Sequence, residues 1–166
     1  SFNGEYIRMM PLEDFITAAE VILTSSAAPW PVERYKPELF RAMAALVQTR
    51  IVVMAEVCAL VDFLFLEEPP IDDAAFTKAF SADFAAPTLG EIATAFATCE
   101  WNAESLKTAV EAVGTKHDVK LGKLQGPLRI AITGRSVGPP LFEPIELLGR
   151  DESLRRIKSA LARAQG

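Results

Sequence analysis

The sequence predicts an all-α protein, a multihelical fold in two small helical bundles. Apolar residues recur at the three- and four-residue spacing of helices through most of the chain, and the alternation typical of strands is nearly absent. Half of the residues are apolar, which is enough for a packed core and unlike a disordered chain. A chain of 166 residues forms one domain or two small ones.

Three helices are expected in the first part of the chain, after a lead-in over residues 2–10 that could be extended. The first helix begins at Pro11, because proline suits a first helical position and places Glu13 and Asp14 in the favourable first turn. A loop over residues 25–37 then precedes the second helix. The second and third helices are expected over residues 38–48 and 51–66.

The run Glu67–Pro70 indicates a boundary between two subdomains, because consecutive prolines do not continue a helix. We expect a first helical subdomain over residues 1–68, which includes the lead-in. A second helical subdomain is expected over residues 69–166.

Shorter helices, bounded by polar caps, prolines and glycines, are expected in the second subdomain. Thr88 and Glu91 fit a capping box that opens a helix over residues 89–99, and Asn102 can cap a helix that Gly114 ends. The other helices are expected over residues 72–80, from Pro127 to Gly134, from Pro139 to Gly149, and from a cap at Asp151 onwards. The outward face of the last helix is expected to carry Arg155, Arg156, Lys158 and Arg163.

Charge divides the chain into an acidic part and a basic part. Residues 1–111 contain seven Lys/Arg and seventeen Asp/Glu residues, whereas residues 112–166 contain ten and five. The second part would attract a phosphate-bearing partner and the first would repel it. A solvated helix face with clustered charges accounts for the same pattern without a ligand, so that alternative stays open.

No motif in the sequence assembles the residues for independent catalysis or metal binding. The single histidine, His117, stands beside Lys116 in an expected surface loop, without a recognisable nucleophile partner. Cys58 and Cys99 lack paired spacing and lie in apolar helical stretches, which is typical of reduced thiols in a cytoplasmic protein. Residues 134–138 lack the Gly-Lys-Ser/Thr signature of a phosphate-binding loop. We therefore expect no catalytic residue, metal site or cofactor in this chain.

No membrane span is expected, because Glu56 and Asp62 interrupt the longest apolar stretch. Ser1 is followed by Phe-Asn-Gly-Glu, which has no basic segment of a signal peptide. The chain is expected to act without contact to a membrane.

Two arginines are candidate ligand-binding residues. Arg129 directly follows residues 126–128 near an expected helix start, and Arg50 stands at the junction of two apolar helices. A guanidinium donates paired hydrogen bonds to a base edge or a phosphate and stacks on an unpaired base. A salt bridge or a helix-end cap accounts for either arginine equally well.

A loop of small and rigid residues, Gly138, Pro139 and Leu141, is the third candidate. Glycine without a Cβ lets a ligand base approach the backbone closely. An ordinary turn between helices is the simpler interpretation of these residues taken alone.

Three segments follow one another in an order and spacing that fit one enzyme family along the whole chain. Residues 2–8 read FNGEYIR; residues 119–123 (VKLGK) precede residues 127–134 (PLRIAITG); residues 140–143 (PLFE) precede residues 146–149 (ELLG). The chain resembles the C-terminal anticodon-binding region of bacterial glutamyl-tRNA synthetase, which carries similar Asn-x-x-Tyr-Ile and K-x-G…P-L-R-x-A-L-T-G segments.

The resemblance implies an all-helical anticodon-binding region in two subdomains, often called an α-helix cage. It implies that Arg50 reads the first anticodon base and that Arg129 reads the other two together with the loop of Gly138, Pro139 and Leu141. An arginine at position 50 is similar to that of synthetases that select glutamate tRNA over glutamine tRNA. Phosphate contacts are expected from Lys120, Lys123 and Arg135.

The resemblance also implies what the longer protein does. The parent enzyme would be a class I glutamate–tRNA ligase that uses ATP, Mg²⁺, glutamate and tRNA. This chain lacks motifs of the HIGH and KMSKS kinds, so it should bind glutamate tRNA as a monomer, without DNA, and should aminoacylate nothing. The chain begins at Ser1 inside a family segment, which indicates a piece of a longer protein. Glu111 departs from the family pattern, because a basic residue there can help to hold the anticodon loop.

Two other functions are compatible with these residues. A helical protein-interaction module would bind an acidic protein through the basic face. A small helical enzyme would need a cleft near His117.

Overall fold

The structure, a computed structural model, describes residues 4–166, and within that range it contains helices and no strands, which confirms the predicted fold class. Phe2 and Asn3 of the first family-like segment lie outside the described residues. The helices are α1 (Gly4–Met9), α2 (Leu12–Leu23), α3 (Pro37–Gln48), α4 (Val57–Phe65), α5 (Asp73–Phe80), α6 (Ala85–Phe96), α7 (Ala103–His117), α8 (Leu121–Thr133), α9 (Phe142–Leu148) and α10 (Arg150–Gln165).

The chain divides into two compact units. Unit 1 comprises Ser1–Pro69 and Gly138–Pro140, and unit 2 comprises Pro70–Val137 and Leu141–Gly166. Each unit buries apolar side chains of its own.

Unit 1 is built around an aromatic core where α2, α3 and α4 meet. The ring centroids of Phe15 on α2 and Phe40 on α3 lie 6.3 Å apart, and both side chains are fully buried. Phe65, at the end of α4, contacts Trp30 at 5.1 Å and Tyr35 at 5.0 Å between ring centroids. Aromatic pairs at these distances add about 0.5–1.5 kcal/mol each beyond the burial of their surface. The segment between α2 and α3 is therefore fixed by its two aromatic side chains.

The lead-in of unit 1 is helical, so its predicted extended conformation was wrong. Residues 4–9 form α1, and Gln48 holds the end of this helix. The side-chain amide of Gln48 donates hydrogen bonds to the carbonyl oxygens of Ile7 at 2.9 Å and Met10 at 2.8 Å. A contact so distant in sequence could not be read from the local pattern.

The third predicted helix begins at Val57 and not at residue 51. Val53 is extended, with φ −133° and ψ 147°, and a single 3₁₀ turn over Met54–Glu56 precedes α4. The apolar run therefore contains a loop, Arg50–Val53, before the helix begins.

In unit 2, α6 packs against α7, α8 and α10 and contributes Ile92 and Phe96 to the core. Arg150 links the start of α10 to the end of α6. Its Nε donates to the Phe96 carbonyl oxygen at 3.2 Å, its Nη2 donates to the Cys99 carbonyl oxygen, and its guanidinium lies 5.3 Å from the Trp101 ring centroid. One guanidinium therefore satisfies the carbonyl group of the last residue of α6 and another shortly after the helix.

The end of α8 is held by several hydrogen bonds to other parts of unit 2. Gly134 adopts a left-handed conformation, with φ 79°, and its N–H donates to the Ile130 carbonyl oxygen at 2.9 Å. The Gly134 carbonyl oxygen in turn accepts a hydrogen bond from the Asp72 N–H at 2.9 Å. Arg156 Nη1 donates to the Ile132 carbonyl oxygen at 2.6 Å. Gly134 thus ends α8, as predicted, and ties that end to the start of the unit.

Arg156 is buried, with 5% of its surface exposed, so its predicted outward position was wrong. Glu152 makes that burial possible. It accepts a hydrogen bond from Arg156 Nε at 2.8 Å and another from Arg155 Nη2 at 2.7 Å. The hydrogen bond from Arg155, followed by that from Arg156, lowers the pKa of Glu152 to about 2. The carboxylate is therefore charged at neutral pH and forms an ion pair with the buried Arg156 guanidinium.

Two predicted helix boundaries around α6 and α7 were wrong. Thr88 lies inside α6, where its hydroxyl donates to the Phe84 carbonyl oxygen at 2.7 Å in place of capping a new helix. Helix α7 continues past Gly114 to His117 and ends at Asp118, whose φ is 54°. The predicted cap at Asn102 is confirmed, since its side chain accepts a hydrogen bond from the Ser105 N–H at 2.8 Å.

Three other predicted helix starts differ from the structure, and the first of them is that of α9, which begins at Phe142 and not at Pro139. Helix α8 begins at Leu121 and runs through Pro127. Helix α10 begins at Arg150 after Gly149, so Asp151 lies in the first turn and is not the cap. An acidic side chain in the first turn still interacts favourably with the positive end of the helix dipole.

We predict that Gly134→Ala destabilises the protein by about 1–3 kcal/mol, because alanine is strained at this φ and its Cβ would overlap the Pro70 carbonyl oxygen. Gly90→Ala is the matched control. Gly90 lies inside α6 with open space around its Cα, so alanine there should stabilise the protein by about 0.5–1 kcal/mol. Urea unfolding of the three proteins measures both changes, and equal stability of the two variants would contradict the prediction.

We predict that Glu152→Gln lowers stability at pH 7 and that this loss shrinks in acid. The pKa of Glu152 falls from 4.5 to about 2 on folding, so its charge stabilises the protein above pH 4.5 and that contribution disappears as the pH falls towards 2. The site is partly exposed, so the loss at pH 7 should be about 1 kcal/mol. Glu13→Gln, which breaks an exposed pair with Arg41, is the control and should change stability little. A loss independent of pH would show that the charge of Glu152 is not what stabilises unit 2.

Candidate functional site

Arg50 lies in unit 1 at the end of α3, and its side chain is exposed. Its backbone N–H donates to the Val47 carbonyl oxygen at 3.0 Å, which closes the last turn of the helix. Within residues 4–166 the guanidinium has neither a hydrogen bond nor an ion pair. Among the described residues, therefore, no salt bridge or side-chain cap occupies Arg50, and none of them takes up its guanidinium donors.

Arg129 lies in the middle of α8, not near its start, and is half-buried. Leu128 and Ile130 on either side of it are in the core of unit 2. The Thr133 hydroxyl, one turn later, donates to the Arg129 carbonyl oxygen at 2.9 Å. The core packing of Leu128 and Ile130 and the hydrogen bond from Thr133 therefore hold the backbone at Arg129 in place.

Lys120 and Lys123 border a cleft of about 770 Å³ in unit 2. Lys120 is the residue before α8 and has no side-chain capping bond, and Lys123 is in the first turn. Both side chains are exposed. The cleft is lined by Phe84, Glu111, Gly114, Thr115, Asp118, Val119, Lys120, Leu121 and Lys123.

The charge around this cleft is mixed. Glu111 and Asp118 line the same space as the two lysines, so the local potential is less positive than the lysines alone would give. Helix α8 adds the partial positive charge of its N-terminal N–H groups. The cleft can accept an anionic group near the lysines, while Glu111 opposes one on its own side.

The residues after α8 form a turn fixed by a side chain. The Thr133 hydroxyl accepts a hydrogen bond from the Arg135 N–H at 3.2 Å. Pro139 is buried and Gly138 is half-buried. Leu141 precedes α9 and is 2% exposed, in the core of unit 2. A ligand at Leu141 would therefore meet its backbone and not its side chain.

His117 is part of the last turn of α7, not of a surface loop as predicted. Glu91 on α6 pairs with both His117 and Lys116. These contacts lower the pKa of Glu91, mainly through the hydrogen bond from Lys116. The cluster links two helices of unit 2.

Within residues 4–166 no group of three or more His, Cys, Asp and Glu side chains is arranged to hold a metal ion. Cys58 and Cys99 are free and half-buried. None of the helices in that range combines the length and apolar character that a membrane span needs.

The structure groups only some of the predicted residues. Lys120 and Lys123 line one cleft, whereas Arg50 belongs to the other unit. Sequence reasoning missed the cleft wall contributed by Phe84 and Thr115, because Phe84 is distant in sequence from the lining residues between 111 and 123 and no local pattern joins the two segments.

The profile of the family described as "Anticodon binding domain" matches residues 14–161. The glutamate–tRNA ligase of Frankia casuarinae is 47% identical to this chain over 166 residues, which are 100% of the chain and 35% of the relative. The glutamate–tRNA ligase of Salinispora arenicola is 48% identical over 168 residues, which cover 98% of the chain and 36% of the relative. The chain thus spans about a third of the length of these relatives.

A solved structure has the same fold. The crystal structure of a glutamate tRNA ligase from Elizabethkingia meningosepticum, in complex with its amino acid, matches with a TM-score of 0.75 and 22% identity. The match covers 96% of this chain and 31% of that one. The family profile extends over most of the chain and spans parts of both units. This chain belongs to the family of anticodon-binding domains.

Proposed function

We propose that this chain is the anticodon-binding part of a glutamate–tRNA ligase and that it binds the anticodon loop of glutamate tRNA. The observation that carries the proposal is the family match over residues 14–161, together with relatives at 47% and 48% identity that are glutamate–tRNA ligases. Sequence-specific RNA recognition mostly uses unpaired bases, which an anticodon loop presents.

Base recognition is assigned to the two arginines. The Arg50 guanidinium has no partner among residues 4–166, and Arg129 projects from a helix whose other side is packed into a core. A guanidinium donates two parallel hydrogen bonds to a base edge, so each can distinguish one base from another. Gly138, Pro139 and Leu141 would contribute backbone groups, which read base edges without a flexible side chain.

Binding of the phosphates is assigned to Lys120, Lys123 and Arg135. The two lysines are exposed at the N-terminal end of α8, where the helix dipole also favours an anion. Contacts of this kind give affinity that falls with salt and does not depend on base sequence.

The two units would correspond to the two subdomains of an anticodon-binding region, with unit 1 presenting Arg50 and unit 2 presenting Arg129. Adenylate formation, with its ATP, Mg²⁺ and glutamate, would belong to the other two thirds of the longer protein. This chain alone would then bind tRNA as a monomer in the cytoplasm and would not aminoacylate it.

We predict that Arg129→Ala weakens binding to glutamate tRNA by about 1–3 kcal/mol, the usual cost of losing a bidentate base contact. Replacing one particular anticodon base should then cost the variant little, although the same replacement weakens binding by the unmodified chain. Fluorescence anisotropy with tRNAs changed at one anticodon base at a time measures both effects.

Lys123→Ala is the matched control for a phosphate contact. It should weaken binding to every one of these tRNAs by the same factor and reduce the salt dependence. If folded Arg129→Ala bound all the tRNAs as the unmodified chain does, Arg129 would not read a base. If the unmodified chain ignored tRNA and bound an acidic protein, the protein-interaction alternative would replace this proposal.

A further inference from the structure

The loop Arg50–Val53 presents three outward side chains from a fixed backbone. Val52 and Val53 are 57% and 41% exposed, whereas Ile51 is completely buried in unit 1. Ile51 therefore anchors the loop, and its neighbours point away from the core. Two exposed valines lie beside an arginine that has no partner in the part of the chain that the structure describes, so this patch differs from a single exposed apolar residue.

Four hydrogen bonds fix the backbone of this loop. The N–H groups of Arg50 and Ile51 both donate to the Val47 carbonyl oxygen, at 3.0 and 3.1 Å. The Val52 N–H donates to Glu56 Oε2 at 3.1 Å. On the other side, Arg8 Nη1 donates to the Ile51 carbonyl oxygen at 3.3 Å. The loop is thus held from both α1 and the turn before α4.

Gly4 packs directly on the same loop. A Cβ built at Gly4 would lie 3.1 Å from the Val52 Cα and 3.2 Å from the Val52 carbonyl oxygen. It would also lie 2.8 Å from Arg8 Nη1. Helix α1 therefore approaches the loop so closely that only glycine fits without a shift of one or the other.

The outward face combines the two kinds of contact that an unpaired base needs. A guanidinium binds the polar edge of a base or stacks on it, and apolar side chains cover its flat face when it leaves water. Because Arg50 has no partner within residues 4–166, ligand binding breaks no existing contact of its side chain.

We infer that Arg50, Val52 and Val53 form a preformed contact face for one unpaired base of the RNA loop, and that Arg8 and Glu56 are positioning residues that hold it. The inference rests on the proposed function and adds the valines and the two positioning residues to it. A preformed loop loses less conformational entropy on binding, so removing its supports weakens binding without removing a ligand contact.

We predict that Arg8→Met weakens binding to an RNA hairpin with the anticodon stem and loop of glutamate tRNA by about two- to tenfold, as expected for one lost hydrogen bond. In an Arg50→Ala background the same change should have a smaller effect, because the loop then presents only the two valines. Arg8→Lys, which keeps a donor, should recover part of the loss. Fluorescence anisotropy on the four combinations and on Arg8→Lys gives these values.

Arg41→Met is the matched control, since it removes the same charge from unit 1 at an exposed pair with Glu13. It should weaken binding less than Arg8→Met does. Equal losses for the two variants, or an Arg8→Met effect that persists fully in the Arg50→Ala background, would overturn the inference.

Val52→Asn keeps the inference testable if Arg8→Met does not fold, because it alters only an exposed side chain. It should bind the hairpin about threefold or more weakly, with an unchanged melting temperature. Unchanged binding by Val52→Asn would overturn the role of the valines.

If the unmodified chain itself bound the hairpin regardless of its anticodon bases, the proposed function would fail first. If that chain did read the bases and Arg8→Met and Val52→Asn bound normally, only this inference would be wrong.

Discussion

The carbonyl groups at the buried end of α8 are the constraint on which unit 2 depends. The last carbonyls of a helix have no partners within it, and leaving them buried without a partner costs about 1–3 kcal/mol each. In this chain the carbonyls of Ile130, Ile132 and Gly134 are satisfied by the Gly134 N–H, by Arg156 and by the Asp72 N–H. Those partners come from the start, middle and end of the unit. Satisfying one helix end therefore joins α5, α8 and α10 and fixes the helix that carries Arg129.

Much of this architecture could be predicted from the sequence, because periodicity and caps act locally. The all-helical class, the cap at Asn102 and the end of α8 at Gly134 follow from neighbouring residues. The errors occurred where a distant contact overrides a local preference. Pro127 was expected to start a helix, yet the preceding turn is helical as well, since Leu124 is 1% exposed in the core. Gly114 was expected to end a helix, but a Cβ there would overlap the Val119 carbonyl oxygen. That glycine permits close packing and does not stop the helix.

The burial of individual charged side chains was the property that the sequence predicted least well. Arg156 is identical in type to Arg155 and adjacent to it, yet one is buried at 5% exposure and the other lies at the surface. The difference comes from Glu152 and the Ile132 carbonyl oxygen, which together compensate the buried guanidinium. Counting basic residues therefore overestimates the surface available to RNA. The residues that keep exposed cationic groups in the basic part include Lys120 and Lys123, at the cleft of unit 2.

Under the proposed function, this chain reads anticodon bases. The most direct test is to measure its affinity for glutamate tRNA and for the same tRNA with all anticodon bases replaced, each at a low and a moderate salt concentration. Salt should weaken both complexes by a similar factor, since the phosphate contacts are shared. Replacing the anticodon should weaken binding at both salt concentrations. Equal affinity for the two tRNAs, lost together as salt rises, would show only a basic surface and would contradict the claim.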